Sequence, residues 1–569
     1  MWLIPKIRVV ALCLLCGMSC KQNQAKYQPA GHQHPVYGGT FVYADEADIR
    51  TLDTAIGYDT VSWVAAHLVF NGLLDYDDDV QLIGSLASSW EVSEDGLRWT
   101  FRLRQDVYFH DWTRSDGVLV AGRQMVADDV IYSWSRLFEP GLGSPATDFF
   151  DVIKGSEAVL NGDTDTISGL TAPDPYTLIV DLKEADATFG NSVAMVFGSV
   201  ILKEAVEDRG DRWGYAPVGT GPFSVSEWKP GVSTVFVAHD KYWQEGLPYL
   251  DRVVHLANYP RSVQFLKLEA GELHQVDRLS SPDYLWIKRD SFWSDYLSEL
   301  PSVDTYAEMM NTQMPPFDNV WFRRAVSTAI DRDKIRRLRN NRAKPTISWI
   351  PPGLTGHMRW EDLSEADQSA FVYQRFDREL SLQCLQKAGY PDGYPHTIDY
   401  MTLTDEASLT TAQSIQQDLA QVGIHLELRN TTFPAYLAST GKRGEVQMAY
   451  SAWVMDYPDA KNFLQTKFHC DSISDENSVN DSFYCNQEVD RLLDEGAREV
   501  DEHRRAALYD QAHRIIAHEA PYAFEYHSMS VSVVQPWVRG FRNHPVWIRD
   551  MSRVWMDLSE SDRIDGAVW

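Results

Sequence analysis

Val446-Gln-Met-Ala-Tyr-Ser-Ala452, followed directly by Trp453-Val-Met-Asp456-Tyr-Pro-Asp459, is the stretch on which the interpretation of the whole chain depends. Its first seven residues are mostly apolar and predict a buried or half-buried strand. Asp456 comes just past that strand, in a turn that contains proline. There its carboxylate is placed to accept charge-assisted hydrogen bonds from an ammonium or amide group, with Trp453 excluding water. The alternative is a strand-end turn in which Asp456 caps local N–H groups and Trp453 lies in the core.

The segments around this stretch predict an α/β lobe with parallel strands. A helical pattern over 407–422 ends at Gly423, and a strand over 424–428 follows at once. The strand over 446–452 then repeats the order of helix followed by strand, which is typical of parallel sheets. Ligands of such sheets bind at the ends of the strands, which is where Asp456 falls.

The N-terminal half contains more strands than the C-terminal half. A strand over 38–44 precedes a helix over 60–70, and a hairpin with its turn at 94–96 is predicted within 90–110. Further helices are predicted over 261–273 and 320–330. Near the C-terminus, 488–516 is mostly helical, and 521–534 predicts a strand that returns to the first lobe.

Length and charge limit the class of protein. The chain has 569 residues, too many for one core, so two or three lobes are expected. Its formal net charge of −29 argues against binding nucleic acid or an anionic membrane surface, because phosphate contacts need Lys and Arg. Metalloprotease, serine hydrolase, P-loop and dinucleotide motifs are absent, so no enzyme is expected. A pair of glycosidase-type carboxylates stays open, because no spacing among the acidic residues singles one out.

The N-terminus predicts export and attachment to a lipid. Lys6 and Arg8 precede the apolar run 9–15, which is too short to span a bilayer and is typical of an export signal. Gly17-Met-Ser-Cys20 then resembles a lipoprotein cleavage site, so residues 1–19 are predicted to be removed and Cys20 to be lipidated. Residues 20–36 are predicted to form a flexible polar tether. His32 and His34 in this tether are expected to be solvated rather than to bind a metal.

The remaining cysteines predict a disulfide in the exported protein. Cys470 and Cys485 flank a polar loop, and a disulfide between them is expected to stabilise the fold by about 3 kcal/mol. Zinc is the less favoured alternative, because only two thiols are present. Cys384 lies in a helical pattern and is expected to be a buried free thiol. No metal and no cofactor are expected.

Short motifs are distributed along the chain: Leu86-Ala-Ser-Ser-Trp90, Asp95-Gly96, Phe101-Arg-Leu-Arg104, Val107-Tyr-Phe-His-Asp111, Ala127-Asp-Asp-Val130, Gly219-Thr-Gly-Pro-Phe223, Asn311, Pro315-Pro-Phe317, Arg323-Arg-Ala-Val326, Ala329-Ile-Asp-Arg332, Ala388-Gly-Tyr-Pro-Asp-Gly393 and Trp453 to Asp459. In their order and spacing, from about residue 38 to residue 541, the chain resembles the family 5 extracellular solute-binding proteins.

The resemblance implies an α/β fold of the two-lobed periplasmic-binding-protein type II-like (Venus-flytrap) class, with an extra small α+β domain. The ligand of such a protein is enclosed between the lobes. Placed on this chain, the resemblance implies the following domains: lobe I at 37–75, 206–302 and 526–569, the extra domain at 76–205, and lobe II at 303–525. The segment 113–123 lies in the extra domain as an insertion relative to the family.

The resemblance also implies a set of ligand-binding residues. Asp456 matches an aspartate that pairs with the α-ammonium of a bound peptide, and Trp453 matches a tryptophan beside it. Tyr450 occupies a position where some oligopeptide binders have arginine. Tyr58 and Asp59 fall near the place where the first lobe contacts the ligand. The pair Cys470 and Cys485 matches cysteines of some members, which supports the disulfide.

The function implied is that of a monomeric lipoprotein of the periplasm or cell envelope. It would capture dipeptides or oligopeptides and deliver them to the permease and ATPase of an ABC importer. Main-chain hydrogen bonds to strand edges would supply affinity, and the terminal charge pair would fix register. The alternatives are the same fold with a nickel chelate, haem or an oligosaccharide, a surface hydrolase, or a sensor lipoprotein without a permease.

Overall fold

The computed structural model describes residues 27–565, so the predicted signal peptide 1–19 and the predicted lipidation site Cys20 lie outside the described residues. The strands of the described part are β1 (Thr40–Ala44), β2 (Leu74–Tyr76), β3 (Leu82–Gly84), β4 (Ala87–Val92), β5 (Arg98–Leu103), β6 (Trp112–Thr113), β7 (Leu119–Val120), β8 (Leu170–Asp174), β9 (Thr177–Asp181), β10 (Phe223–Lys229), β11 (Ser233–Ala238), β12 (Arg252–Leu256), β13 (Gln275–Asp277), β14 (Leu297–Pro301), β15 (Asp304–Met310), β16 (Ala343–Pro345), β17 (Thr397–Leu403), β18 (His425–Thr431), β19 (Met448–Val454), β20 (Tyr522–Val534), β21 (Val538–Arg539), β22 (Arg542–His544), β23 (Ile548–Asp550) and β24 (Trp555–Met556).

The α-helices of the same part are α1 (Thr60–Val69), α2 (Ala127–Arg136), α3 (Thr147–Phe150), α4 (Ser156–Leu160), α5 (Phe189–Ala194), α6 (Lys203–Arg209), α7 (Arg261–Glu269), α8 (Ser281–Ile287), α9 (Val320–Ala329), α10 (Arg332–Leu338), α11 (Glu365–Phe371), α12 (Arg378–Lys387), α13 (Glu406–Ala420), α14 (Phe433–Thr440), α15 (Ala460–Phe468), α16 (Gln487–Arg498), α17 (Glu502–Glu519) and α18 (Glu560–Asp565). Among the described residues, none of these helices is both long and apolar enough to cross a membrane.

The N-terminal half contains two separate sheets. Lobe I is built on the sheet β1-β12-β11-β10, in which β1 and β12 run parallel. The inserted domain is built on the antiparallel sheet β4-β5-β9-β8, and the insertion that begins at Thr113 forms the small hairpin β6-β7 beside it. One continuous cluster of buried side chains runs through lobe I and the inserted domain. The boundaries proposed for this domain at 76 and 205 therefore stay predictions.

Lobe II is built on the strand order β20-β15-β19-β17-β18. Strands β19, β17 and β18 run parallel, and β15 runs antiparallel to β19. The helices α15, α16 and α17 cover one face of the sheet, while α9, α12 and α13 cover the other. The parallel strands predicted over 424–428 and 446–452 are therefore present as β18 and β19, with β17 between them, and the carboxyl ends of the three strands share one edge of the sheet.

Strand β20 belongs to both lobes. Its first half, Tyr522 to Tyr526, pairs with β15, and its second half, from Met529 onward, pairs with β14 and β13. At the crossing, Asp304 Oδ1 accepts a hydrogen bond of 2.8 Å from the Ser528 N–H. The lobes are thus joined by strand segments rather than by a flexible linker, which is the arrangement expected of a hinge.

The structure differs from the predicted elements in three places. Helix α7 ends at Glu269 rather than at 273, because Gly271 adopts φ +72° and closes the helix with a left-handed residue. The predicted helix 488–516 is two helices, since Asp501 caps the second at the Arg504 N–H. The described part of the predicted tether is not free: His32 bonds Asp557, and the Tyr27 ring packs on Trp537.

The loop between α15 and α16 is closed by a disulfide bond between Cys470 and Cys485. The loop reaches under β19, because Asp481 accepts a hydrogen bond of 3.1 Å from Ser451 and pairs with Lys467 at 3.0 Å. The disulfide therefore braces the strand that leads to Asp456.

We expect the Cys470→Ser, Cys485→Ser double variant to lose about 3 kcal/mol of unfolding free energy, as the chain-entropy model gives for a loop of this length. Denaturant titration with and without dithiothreitol measures the effect. The reductant should destabilise the natural protein and leave the double variant unchanged. Cys384→Ala is the control, because the buried Cys384 is a free thiol and its variant keeps the response to reductant. Equal midpoints for the natural protein under both conditions would contradict the prediction.

Candidate functional site

Asp456 lies at the edge of lobe II where the parallel strands end. Strand β19 ends at Val454, and Asp459 caps the following helix α15 by accepting a hydrogen bond of 2.8 Å from the Lys461 N–H. The turn between them projects from the sheet toward lobe I. The next residue, Tyr457, is buried in the core shared by lobe I and the inserted domain. This geometry places Asp456 between the lobes.

Asn462 organises the turn. Its amide oxygen accepts hydrogen bonds from the Asp456 N–H at 2.9 Å and from Trp453 Nε1 at 3.2 Å. Its amide nitrogen donates to Asp456 Oδ2 at 2.9 Å. Asn462 thereby fixes both the carboxylate and the indole, and it is a residue of the site that the sequence did not reveal. The spacing of three residues from Asp459 places Asn462 in the first turn of α15, which is the only sequence signal for it.

The other oxygen of Asp456 is bonded across the lobes. Tyr58, which precedes α1 in lobe I, donates its hydroxyl to Asp456 Oδ1 at 2.6 Å. Both donors to the carboxylate are therefore neutral, and in the described part of the chain no cationic side chain lies within ion-pair distance of it. Burial raises the pKa of Asp456, and the hydrogen bonds from Asn462 and Tyr58 oppose that rise. Such a carboxylate is well suited to receive a cationic group.

Aromatic rings surround Tyr58 on the lobe I side. Its ring centroid lies 5.6 Å from that of Trp63 and 5.5 Å from that of Phe197. Phe149 packs edge-on against Tyr457 of lobe II at 6.4 Å. Burial raises the pKa of Tyr58 well above its ordinary value, and the nearby Asp456 charge adds to that rise, so the hydroxyl stays a hydrogen-bond donor. These rings wall the site and lower its effective dielectric constant.

The remaining predicted site residues are placed differently. Trp453 lies beside Asp456, with the Lys467 ammonium 5.5 Å from its ring centroid. Tyr450 is on the same strand, and its ring faces Tyr306 at 5.9 Å. Asp59 does not join them: its Oδ1 accepts a hydrogen bond of 2.9 Å from the Ser62 N–H and caps α1, and its Oδ2 is 3.6 Å from Arg50. The structure therefore brings Tyr58, Trp453 and Asp456 together and gives Asp59 the role of a helix cap.

Strand β19 has a free edge next to this site. On one side it pairs with β15 along its whole length, but on the other side β17 pairs with it only at Met448 and Ala449. At Tyr450 the carbonyl oxygen accepts a hydrogen bond from the Tyr436 hydroxyl of α14, so among the described residues the segment 451–454 is the part open to a further strand on that side. Val454 at the end of this segment is 60% exposed. Phe433, whose ring stacks on that of Tyr436, is 59% exposed. A free strand edge with exposed apolar side chains is the arrangement that binds an extended chain.

Polar contacts also join the inserted domain to lobe II. Lys461 pairs with Asp186 at 3.0 Å, and Arg498 pairs with Glu184 at 3.0 Å. The Ala187 N–H donates to the Ala497 carbonyl oxygen at 3.0 Å. The inserted domain therefore takes part in the contact between the lobes, both through these polar contacts and through Phe149, which packs against Tyr457.

The described residues contain one group of potential metal ligands, Cys470, Cys485 and Asp490. Both sulfur atoms of this group are in the disulfide, so neither is a thiolate that would bind zinc. The predicted site residues include no histidine or cysteine beside Asp456. The chemistry of the site is that of hydrogen bonding and charge pairing.

Comparison with known proteins agrees with this geometry. The family model described as bacterial extracellular solute-binding proteins, family 5 Middle, matches residues 81–475. Di/tripeptide-binding protein 2 of Pseudomonas aeruginosa is 28% identical over 510 residues, which cover 87% of this chain and 90% of that protein. Heme-binding protein A of Haemophilus influenzae is 26% identical over 543 residues, which cover 93% and 94%.

A solved structure extends the likeness to the fold. The periplasmic binding protein DppA of Helicobacter pylori, solved in complex with the peptide STSA, superposes with a TM-score of 0.75 at 26% identity, over 92% of this chain and 99% of that chain. The two-lobed α/β fold that the sequence predicted is thereby confirmed. Because the family model covers most of the chain, the protein belongs to the family 5 bacterial extracellular solute-binding proteins.

Proposed function

We propose that this protein binds short peptides between its two lobes, with the peptide α-ammonium at Asp456. The observation that carries the proposal is the Asp456 carboxylate, which lies between the lobes, accepts only neutral donors and has no cationic partner among the described residues. An ammonium group would complete its hydrogen bonding with a charge of the opposite sign. The names of several relatives, which include dipeptide-, oligopeptide- and di/tripeptide-binding proteins, support the same ligand class.

The free edge of β19 supplies main-chain hydrogen-bonding groups, which a peptide site needs in addition to the Asp456 charge. An extended peptide placed along 451–454 would exchange main-chain hydrogen bonds with this edge, and such bonds are the same for every sequence. Its side chains would alternate between the exposed apolar surface and the space between the lobes. The site therefore supports recognition of peptides by their backbone and terminus, with little demand on side-chain identity.

The protein would deliver the peptide to the permease and ATPase of an ABC importer in the bacterial envelope. It would act as a monomer and be anchored by a lipid at Cys20. Hinge strands between the lobes support it, because a closed and an open state give a permease two shapes to distinguish. The motif Gly17-Met-Ser-Cys20 supports the anchor.

Native mass spectrometry of the purified protein without residues 1–20 tests the ligand class. We expect additional masses that disappear on denaturation and that fragment as short peptides of mixed sequence. A single non-peptide mass would overturn the proposal and would favour a nickel chelate, haem or an oligosaccharide instead, haem being what one relative is named for. A peptide recovered in cleaved form after incubation would indicate a hydrolase.

The hydrogen bond between Tyr58 and Asp456 predicts a role for Tyr58 in holding the lobes together. A hydrogen bond to a charged group contributes about 1.5–3 kcal/mol, so we expect Tyr58→Phe to favour the open state. Small-angle scattering of protein stripped of peptide should give a larger radius of gyration for the variant than for the natural protein. Tyr215→Phe is the control, because Tyr215 is exposed and contacts Trp228 far along the chain from Asp456. An unchanged radius for Tyr58→Phe would contradict this role.

A further inference from the structure

We propose that the inserted domain forms a socket for the turn that carries Asp456, and that this socket positions the carboxylate and raises the affinity for peptide from outside the ligand site. The socket is made by Phe149, Asp186 and Thr188, and it receives Tyr457 and Lys461 of lobe II. The inference rests on the proposed function, since it concerns the turn that would bind the peptide ammonium. It gives the inserted domain a part in binding.

Tyr457 makes the apolar part of this contact. It follows Asp456 directly in the chain, yet its side chain packs into the core cluster of lobe I and the inserted domain, and the residue is only 7% exposed. Its ring meets that of Phe149 edge-on at 6.4 Å, and Phe149 stacks on Phe197 at 5.7 Å. An aromatic side chain that is buried in this way in the opposite lobe favours association of the two lobes through its apolar area and its ring contacts.

Lys461 makes the charged part of the contact. Its ammonium donates to Asp186 Oδ2 at 3.0 Å and to Thr188 Oγ1 at 3.2 Å. The other oxygen of Asp186 accepts from the Thr188 N–H at 2.8 Å and from the Thr188 hydroxyl at 2.7 Å, so the inserted domain itself fixes both acceptors. The side chains of Lys461 and Asp186 are 18% and 14% exposed, and solvent therefore screens this pair less than it screens a surface ion pair.

The turn is also fixed on the side of lobe II, so that it moves as one unit. Asp459 accepts a hydrogen bond from the Lys461 N–H and lies 3.4 Å from the guanidinium of Arg505 in α17. Asn462, one residue after Lys461, donates to Asp456. Because the residues from Asp456 to Asn462 are linked in this way, the socket determines where the Asp456 carboxylate lies between the lobes.

A second ion pair at the same interface is weaker than the one in the socket. Arg498 and Glu184 lie 3.0 Å apart, but their side chains are 55% and 60% exposed. Exposed ion pairs contribute little to stability, because water screens them and two long side chains must be ordered. The Lys461 pair is therefore the polar contact through which the inserted domain is expected to act on lobe II.

The socket and the peptide favour the same state of the hinge. Opening of the lobes would withdraw Tyr457 and Lys461 from the socket, because the two residues and the socket lie on opposite sides of the cleft. A protein whose closed state is less populated binds its ligand more weakly by the same factor. The affinity for peptide thus depends on Asp186, although Asp186 does not bond Asp456.

Calorimetric titration with tetra-alanine tests the inference through a double-mutant cycle. We expect Asp186→Asn and Lys461→Met each to weaken binding about tenfold, as for the loss of one hydrogen bond to a charged group. The double variant should bind no more weakly than either single variant, because both substitutions remove the same contact. Asp181→Asn is the matched control, since Asp181 lies in the same domain and pairs with Arg98 at 2.6 Å on the neighbouring strand. Thermal unfolding of each variant verifies that it is folded.

Hydrogen–deuterium exchange of the protein without peptide provides a readout that does not depend on the ligand. In Asp186→Asn the amides of residues 454–461 should exchange faster than in the natural protein, while those of β17 exchange as before. Unchanged affinity in both folded single variants, or effects that add in the double variant, would overturn the socket. If the natural protein binds no tetra-alanine, the proposed function fails. Exchange in the turn then decides whether the socket positions it, and unchanged exchange would overturn this inference as well.

Discussion

Asp456→Asn is expected to weaken the binding of tetra-alanine by about 2–5 kcal/mol, the usual cost of removing one partner of a buried charge pair. The substitution keeps the shape of the side chain and an oxygen that accepts from Tyr58, so the loss reports the charge rather than the packing. Isothermal titration calorimetry measures it. The same variant should bind N-acetylated and free tetra-alanine equally, whereas the natural protein should prefer the free ammonium form.

The control for this prediction is Asp399→Asn. Asp399 lies on β17 in the same lobe, pairs with Arg429 at 3.2 Å and is far from the carboxyl ends of the strands. Its variant should bind the peptide as the natural protein does. Because burial raises the pKa of Asp456, we also expect peptide affinity to fall as the pH is lowered and the carboxylate becomes protonated. Unchanged affinity in Asp456→Asn, measured with a folded variant, would remove Asp456 from the site.

Acid is expected to destabilise the fold strongly, because three histidines are buried in their neutral form. Burial lowers the pKa of His110, His513 and His527 to about 3. The unfolded chain binds a proton at each near pH 6.5, and the folded protein does not until about pH 3, so stability is complete above pH 6.5 and is lost as the pH falls below it. Each histidine contributes about 1.4 kcal/mol per pH unit in that window.

His513→Gln isolates one of these contributions. His513 Nε2 accepts a hydrogen bond of 3.0 Å from the Trp349 N–H, and glutamine retains an acceptor. The groups that face the ring, His357, His527 and Arg514, all disfavour its protonation. Between pH 6.5 and pH 4.5 the variant should therefore lose about 2 kcal/mol less stability than the natural protein.

Denaturant titrations at several pH values measure this difference. The comparison between variant and natural protein removes the contribution of the buried pair Glu308 and Glu525, whose raised pKa values act in the opposite sense in both proteins. His503→Gln, exposed on the same helix, is the control and should leave the pH dependence unchanged. Parallel profiles for His513→Gln and the natural protein would show that His513 is not neutral in the fold.

The sequence predicted the part of the site that comes from one continuous segment, Trp453 to Asp459. The apolar alternation before Trp453 and the proline turn after it are local features, and they placed Asp456 beyond a strand end, where the structure has it. Asp59 shows that lying next to a site residue in the chain, as it does beside Tyr58, does not predict that a residue joins the site. It directly precedes the predicted helix over 60–70, which is the position of an N-cap, and this local role is the one the structure shows.

The contacts that the sequence did not reveal depend on the folded chain rather than on a local pattern. Asn462 lies in the first turn of α15, and its bonds to Asp456 and Trp453 form because the turn after β19 folds back on this helix. The hydrogen bond from Tyr58 to Asp456 joins residues of the two lobes that are far apart in the chain, so no pattern along the chain predicts it.

Strand β20 has a consequence for how the protein is made. A chain emerges from its N-terminus onward, and β13, β14 and β15 all lack a pairing partner until β20 has appeared at residues 522–534. Neither lobe completes its hydrogen bonding before almost the entire chain is available, so both lobes are expected to finish folding only after synthesis is nearly complete. For the same reason the lobes are not separable modules: a chain that stops before β20 lacks the strand that completes both.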